Sequence, residues 1–213
     1  NVQIMAHRGS SEAAPENTPA AFRKAIDDGA DWVEIDVQET ADGEVVVFHD
    51  SDFMKLASKN LKIWDATMED LTGIDIGSWF APEFKDERVP TLAQLLDECR
   101  GKVRVNIELK YYGHDKQLEQ RVAEITIRWA VAQIGAALAD NDAAGLSPLL
   151  AADFVDQSED FLGDGGLLRQ LNELNAAMPD AQVEISVSKA NDGVIAINRT
   201  IHGVAEADLM GHV

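Results

Sequence analysis

Asp31-Trp32-Val33-Glu34-Ile35-Asp36-Val37-Gln38 is the stretch that decides the fold of the first half of the chain. Its β-branched residues at alternate positions suit a packed, pleated surface and predict a buried parallel strand. Because side chains alternate along a strand, Glu34 and Asp36 leave the same face. Two like charges on a buried strand are costly unless a cation or a proton compensates them. The alternative is a solvated face, or acids that pair with nearby Arg or Lys.

The composition predicts a globular protein with a real core. The chain has 213 residues, enough for one large domain or two small ones, and 46% of them are hydrophobic. A formal net charge of −20 argues against non-specific binding to nucleic acid or to an anionic membrane, but it is compatible with a divalent cation and a soluble small substrate. Cys99 is the only cysteine, so we predict a buried, inert thiol and no disulfide or cysteine-rich metal site.

Several features of the sequence bear on the cellular location. No apolar run is long enough to span a membrane. No signal peptide is visible, which favours a cytoplasmic location. Because the chain begins at Asn1 rather than Met, removal of a targeting segment by processing or trimming is an alternative.

Strands and helices alternate over the first half of the chain. The Pro19 that follows Thr18 marks a helix start, and Asp42-Gly43 marks a tight turn between two strands. The alternation predicts parallel strands with right-handed crossovers, as in part of a β/α barrel. The predicted order is strand, helix, strand, strand, long mixed segment, helix, strand, helix, over residues 2–6, 20–28, 31–38, 44–48, 51–89, 91–99, 103–110 and 117–125.

The long segment 51–89 contains several aromatic residues. A loop of this length in a compact domain is usually a lid or a binding loop. Residues 67–70 within it are typical of a helix N-terminus.

Every unusual polar residue falls at or near the carboxyl end of a predicted strand. In a β/α barrel that end is the face where catalytic residues are found. A functional site at this face is therefore predicted. The residues concerned are His7 and Arg8, Glu34 and Asp36, His49 and Asp50, and Glu108 and Lys110.

The acids in this set predict a cation site. Glu34, Asp36 and Glu108 would bring several oxygens to one spot, which suits a hard divalent cation such as Mg²⁺ or Ca²⁺. Lys110 lies two residues after Glu108, the same spacing as between Glu34 and Asp36, and so places a positive charge beside the acids. That lysine has the alternative of simply pairing with Glu108.

The remaining polar residues suit phosphoryl chemistry. Arg8 and Lys110 can bind phosphate oxygens, and His7 and His49 can transfer protons near neutral pH. Asp50 is interpreted as a group that orients His49. A metal, two cations and two histidines together indicate phosphoryl-group chemistry, although a lone His7 could equally cap a strand end.

Six motifs occur in order over residues 3–125. They are His7-Arg8-Gly9, Pro15-Glu16-Asn17-Thr18, Glu34-Ile35-Asp36-Val37, Asp42-Gly43 with Val46 to Asp50, Val89-Pro90-Thr91-Leu92 and Glu108-Leu109-Lys110. Together these motifs resemble those of a known family, the glycerophosphodiester phosphodiesterases. The resemblance implies a β/α barrel that hydrolyses glycerophosphodiesters to glycerol 3-phosphate and an alcohol with a divalent cation.

The resemblance also implies a role for each matching residue. It makes His7 and His49 the acid/base pair, and Arg8 and Lys110 the phosphate contacts. It implies that segment 51–89 covers the glycerol end of the substrate. The implied metal ligands are Glu34, Asp36 and Glu108, and the implied supporting groups are Glu16 and Asn17.

Past residue 125 the barrel pattern stops, and residues 126–213 are predicted to be a second domain. Residues 130–138, 143–150 and 165–174 have helical patterns, and residues 181–189 and 194–202 read as a hairpin around Asn191-Asp192-Gly193. Helices followed by a hairpin are typical of an α+β fold rather than of the other half of a barrel.

Four motifs stand out in this second part: Gly165-Gly166-Leu167-Leu168, Ala177-Met178-Pro179-Asp180, Asn191-Asp192-Gly193 and Thr200-Ile201-His202-Gly203. They resemble the start of the SnoaL-like polyketide cyclases, which have an NTF2-like fold. The resemblance implies a pocket for binding, or for isomerase or cyclase chemistry, that His202 could line, although a structural histidine is the commoner case.

The expected fold class is thus a partial TIM-barrel-like α/β half, residues 1–125, joined to an α+β NTF2-like segment, residues 126–213. An engineered or recombined chimera, which could be inactive, is one explanation, and a damaged reading frame is another. A half-barrel exposes sheet edges, so association as a homodimer is a natural way to cover them.

Overall fold

The computed structural model describes residues 2–114, 116–140, 142 and 145, and the backbone of four later strands. It divides the chain into two compact units, Asn1–Thr126 and Ile127–Val213. The elements that lie in or begin in the first unit are, in order, β1 Met5–His7, α1 Pro19–Asp27, β2 Trp32–Glu39, β3 Val45–Val47, β4 Asp52–Phe53, α2 Met54–Ala57, β5 Lys59–Lys62, α3 Met68–Thr72, α4 Leu92–Cys99, β6 Arg104–Leu109 and α5 Leu118–Ala139, with 3-10 turns at Ile63–Asp65 and Pro82–Phe84.

Strand β2 lies at the centre of the main sheet. β1 and β6 pair with it in parallel, as the alternation of strands and helices predicted. β3, which follows the predicted Asp42-Gly43 turn, pairs with β2 antiparallel. The reason is the Asp42-Gly43 turn, where Gly43 takes φ 85° and folds the chain straight back on itself.

Helices α1 and α4 begin at threonine residues that cap them. Thr18 caps α1 by accepting a hydrogen bond from the amide of Ala21, and Pro19 occupies the first turn. Thr91 and Gln94 form a capping box at the start of α4. Helices α1 and α4 contact each other, and their buried residues include Phe22, Leu92, Leu95 and Cys99.

The segment 51–89 is an ordered subdomain rather than a structureless loop. The predicted helix start is confirmed, since Thr67 and Asp70 form a capping box for α3. The segment has its own apolar core, which also includes Val46 of β3 and the adjacent Phe48. The fully or nearly buried members of this core are Val46, Phe48, Phe53, Leu56, Ile63, Ala66, Leu71, Ile74, Ile76 and Val89.

Helix α5 is one helix where the sequence analysis predicted two, over 117–125 and 130–138. The interval between them contains no Gly or Pro to end a helix. The Thr126 hydroxyl donates to the carbonyl of Val122 at 2.9 Å and so fits within the helix. At its start, the buried Glu39 accepts hydrogen bonds from the amides of Lys116 and Gln117, both at 3.0 Å.

In the second unit the structure describes two strand pairs. β7 Val155–Asp156 pairs with β8 Phe161–Leu162, and β9 Gln182–Lys189 pairs antiparallel with β10 Ile195–His202. The predicted hairpin is therefore confirmed. The predicted helices over 143–150 and 165–174 and the turn at 191–193 lie outside the described residues, and the side chain of His202 is not described. Among the described residues, no helix is both long enough and apolar enough to cross a membrane.

The lone thiol is buried, as predicted. Cys99 is 2% exposed, and burial raises the pKa of its thiol to about 11. Because the thiolate is the reactive form, native protein should not react with a thiol-specific disulfide reagent near about pH 8, whereas protein unfolded in guanidinium chloride should react fully. Absorbance of the released chromophore measures this. Rapid reaction of the native protein would contradict the packing around α4.

Candidate active site

The strand register brings the predicted acids together. In the sheet His7 lies opposite Glu34, and Asp36 lies opposite Glu108. One carboxylate oxygen each from Glu34, Asp36 and Glu108 lies within 4.8 Å of the others. Glu34 and Asp36 are 6% and 0% exposed, whereas Glu108 is exposed. These acids therefore lie on one face of the sheet, with one of them open to solvent.

Two oxygens of this cluster have no hydrogen-bond partner among the described residues, Glu34 Oε1 and Asp36 Oδ1, and both are buried. Burial, and then the negative charge of Asp36, raises the pKa of Glu34, against the opposing effects of the Arg8 amide and His7. Buried oxygens without a partner are costly, and a divalent cation satisfies such oxygens. The residues therefore fit a hard cation such as Mg²⁺ or Ca²⁺.

Arg8 and Gly9 form a tight turn directly after β1, and both have left-handed backbone, φ 57° and 77°. A Cβ on Gly9 would lie 2.7 Å from the carbonyl carbon of Ala21, so no larger residue fits there. The strained Arg8 backbone is held on both sides. Its amide donates to Glu34 Oε2 at 3.1 Å, and its carbonyl accepts from the Asn17 amide at 3.0 Å.

Asn17 and Glu16 support Asp36 and Arg8, respectively. Asn17 is buried with φ 58°, and its Nδ2 donates to Asp36 Oδ2 at 2.9 Å. Arg8 Nη1 donates to Glu16 Oε1 at 3.2 Å. Lys55, from segment 51–89, reaches Glu16 Oε2 at 3.1 Å. That segment therefore contacts the loop that carries Arg8.

Two basic side chains flank Asp36. Arg8 Nε lies 3.1 Å from Asp36 Oδ2, and Lys110 Nζ lies 3.6 Å from Asp36 Oδ1. Lys110 also donates to Glu108 Oε1 at 2.8 Å, and this bond raises the pKa of Lys110 and lowers that of Glu108. The charge of Glu34 is less well compensated. Among the described residues, its ion-pair partner is His7, whose Nε2 lies 3.7 Å from Glu34 Oε2.

His49 reaches the site by a route that the sequence analysis did not predict. It does not follow a parallel strand. Because β3 runs antiparallel, its end returns to the level of the acids, where the Phe48 amide donates to the Asp36 carbonyl at 2.9 Å. His49 Nδ1 lies 2.7 Å from Asp50 Oδ1, and His49 is close enough to contribute to the lowered pKa of Glu108, after the larger effect of Lys110.

Two residues that the sequence analysis did not select contact the His49 loop. Gln38 donates to backbone carbonyls of this loop, and the Tyr112 hydroxyl donates to the His49 carbonyl at 2.7 Å. Gln38 continues the alternation of Glu34 and Asp36 along β2, so the strand period could have identified it. Tyr112 follows β6 in a loop, where no periodic pattern could identify it.

Residues 7–147 match the sequence profile of the glycerophosphoryl diester phosphodiesterase family. This match covers more than half of the chain and includes every residue of the cluster. The chain belongs to the glycerophosphoryl diester phosphodiesterase family.

Known proteins of this family are similar to the same part of the chain. The Bacillus subtilis protein YhdW is 43% identical over 124 residues, which are 57% of this chain and 50% of that protein. A glycerophosphodiester phosphodiesterase of Caldanaerobacter subterraneus is 39% identical over 127 residues, 57% of this chain and 52% of that protein. The chain thus spans about half the length of the curated relatives it matches.

A solved structure shows the same fold for this part. An Oleispira antarctica phosphodiesterase, determined in complex with the product sn-glycerol-3-phosphate, aligns with a TM-score of 0.54 and 35% identity. The alignment covers 60% of this chain and 51% of that protein. The β/α interpretation of the first half is therefore confirmed. For residues 126–213, the NTF2-like interpretation and the idea of a chimera stay predictions.

The raised pKa of Glu34 leads to a test of the cation site. Ionised Glu34 opposes folding of the metal-free protein, and this effect sets in as the pH rises through the ordinary carboxyl pKa and is complete above the raised one. Near pH 7, Glu34→Gln should therefore raise the melting temperature of the metal-free protein while keeping an oxygen to accept from Arg8. The same change removes a charged ligand, so it should weaken Mg²⁺ or Ca²⁺ binding by roughly tenfold or more.

Thermal unfolding with increasing Mg²⁺ or Ca²⁺ measures both effects. Glu44→Gln is the matched control, because Glu44 is exposed and lies outside the cluster. This control should change neither quantity. A Glu34→Gln variant that is stabilised by the cations as strongly as the wild type would contradict the assignment of the site.

Proposed function

We propose that the chain is a metal-dependent phosphodiesterase that hydrolyses a glycerophosphodiester to glycerol 3-phosphate and an alcohol. The observation that carries the proposal is the convergence of Glu34, Asp36 and Glu108, with two unpartnered buried oxygens, next to basic side chains. Such a cluster on a sheet face suits a cation and a phosphate together. A purely structural role would not require one carboxylate oxygen of each buried acid to lack a hydrogen bond.

Glu34, Asp36 and Glu108 would hold the divalent cation, Mg²⁺ or Ca²⁺. When bound, the cation would supply positive charge to phosphoryl oxygens. Lys110 and Arg8 would contact the other phosphate oxygens, since each already lies at the edge of the acid cluster. A guanidinium fork fits two phosphate oxygens and an ammonium acts as a point charge.

The two histidines would transfer the protons of the reaction. Asp50 holds His49 Nδ1, which leaves Nε2 to give or accept a proton. The side chain of His7 is 66% exposed, so a bound diester can reach it. One histidine would activate the attacking oxygen and the other would protonate the leaving alcohol oxygen. Glu16 and Asn17 would act by holding Arg8 and Asp36 in place.

The relatives support the substrate class. One relative is named a glycerophosphodiester phosphodiesterase, and the Oleispira antarctica structure contains sn-glycerol-3-phosphate as product. Residues 126–213 enter the proposal only as an alternative. A SnoaL-like or NTF2-like pocket with binding, isomerase or cyclase chemistry is compatible with the long antiparallel hairpin β9–β10.

Release of glycerol 3-phosphate from glycerophosphocholine or glycerophosphoethanolamine tests the proposal. Wild-type protein with Mg²⁺ or Ca²⁺ should release it, and EDTA should abolish release until metal is restored. His49→Ala should lower kcat by roughly 100-fold or more, because general acid–base catalysis contributes about that much.

Glu44→Gln serves as the control for substitution elsewhere on the surface, and it should keep full activity. Release that is insensitive to EDTA and to His49→Ala would overturn the proposal. A folded wild-type protein without any release would instead favour the inactive chimera.

A further inference from the structure

Three consecutive backbone carbonyls around His49 point at one buried amide group. Gln38 Nε2 donates to the carbonyl oxygens of Phe48, His49 and Asp50 at 2.7, 3.2 and 2.8 Å, and Gln38 is only 2% exposed. An amide nitrogen carries two hydrogens, so it cannot fully serve three acceptors. The longest of the three bonds is the one to the His49 carbonyl.

The His49 carbonyl accepts a second, shorter hydrogen bond. The Tyr112 hydroxyl donates to the His49 oxygen at 2.7 Å, across 63 residues of sequence. A tyrosine hydroxyl is protonated at neutral pH and can donate, and burial raises the pKa of Tyr112 further in the same direction. The His49 peptide is thus held by a strand residue and by a loop residue that follows a different strand.

The ring of Tyr112 is itself supported by segment 51–89. Trp64 lies 6.0 Å from the Tyr112 ring centroid at an interplanar angle of 39°. Trp64 also stacks on His114, with ring centroids 4.2 Å apart and an interplanar angle of 12°. Trp64 therefore packs between the Tyr112 ring and the His114 ring.

We propose that Gln38 and Tyr112 are positioning residues that orient the His49 peptide and, through it, the imidazole. Asp50 holds the ring at Nδ1 while these two donors hold the backbone that carries it. Together these contacts hold the His49 carbonyl and one ring nitrogen. This inference rests on the proposed function, in which His49 transfers a proton, and a small misplacement of such a group costs a large factor in rate.

Tyr112→Phe tests the inference, because it removes the hydroxyl and keeps the ring against Trp64. We expect kcat for release of glycerol 3-phosphate to fall roughly tenfold with KM changed less than about twofold, since the variant alters orientation rather than substrate contacts. The melting temperature should stay near that of the wild type. Tyr111→Phe removes a hydroxyl from the neighbouring, exposed tyrosine and should leave kcat unchanged.

A second readout does not depend on activity. A hydrogen bond to a carbonyl polarises the peptide, so protein labelled with ¹³C at the His49 carbonyl and ¹⁵N at Asp50 should show both resonances shifted in Tyr112→Phe and unshifted in Tyr111→Phe. The imidazole resonances of His49 should broaden or split as the ring gains alternative orientations. Gln38→Met, which removes the other donor, should shift the same resonances.

The outcomes separate this inference from the proposed function. Loss of kcat together with the shifts supports it. An active wild type whose Tyr112→Phe variant matches Tyr111→Phe in kcat overturns the positioning role, while the phosphodiesterase proposal stands. Unshifted His49 and Asp50 resonances overturn it whether or not the protein is active. An inactive wild type with the shifts and the ring broadening overturns the proposed function and supports the positioning of His49.

Discussion

The mutual repulsion of three carboxylates is the constraint on which the rest of the site depends. The parallel register between β2 and β6 puts Asp36 opposite Glu108, and the strand period puts Glu34 on the same face. Charges this close in a partly buried place repel strongly unless other groups compensate them. The basic side chains, the strained turn after β1 and the unpartnered oxygens are all consequences of bringing these acids together.

The compensation of these negative charges is uneven, and this unevenness is what the proposed cation site rests on. Asp36 is the most buried acid, yet it lies near Arg8 and Lys110 and accepts from Asn17. Among the described residues, Glu34 accepts a hydrogen bond from the Arg8 amide and lies 3.7 Å from a histidine ring nitrogen, with no Arg or Lys ion pair. The chain's own basic side chains therefore compensate Asp36 more fully than Glu34.

Local chemistry made much of this structure predictable. The alternation along β2 placed Glu34 and Asp36 together, and Thr18 and Thr91 predicted helix starts that the structure contains. Long-range packing was not predictable in the same way. The order within segment 51–89 follows from a core that joins residues far apart in the chain. Helix α5 runs without a break because residues 126–129 contain no helix breaker. The end of the barrel pattern at residue 125 led to the prediction of two helices instead of one.

The support of His49 shows why the site and the sheet form a single unit. Gln38 lies two residues beyond Asp36 on β2, so the strand that carries two of the acids also holds the loop that carries the histidine. A slip of one residue in the pairing of β2 would turn Glu34, Asp36 and Gln38 to the opposite face at once. The acids and the His49 loop therefore cannot be displaced separately by such an error. Every residue assigned a role here lies in the first unit, so the register of one strand determines the geometry of the proposed site.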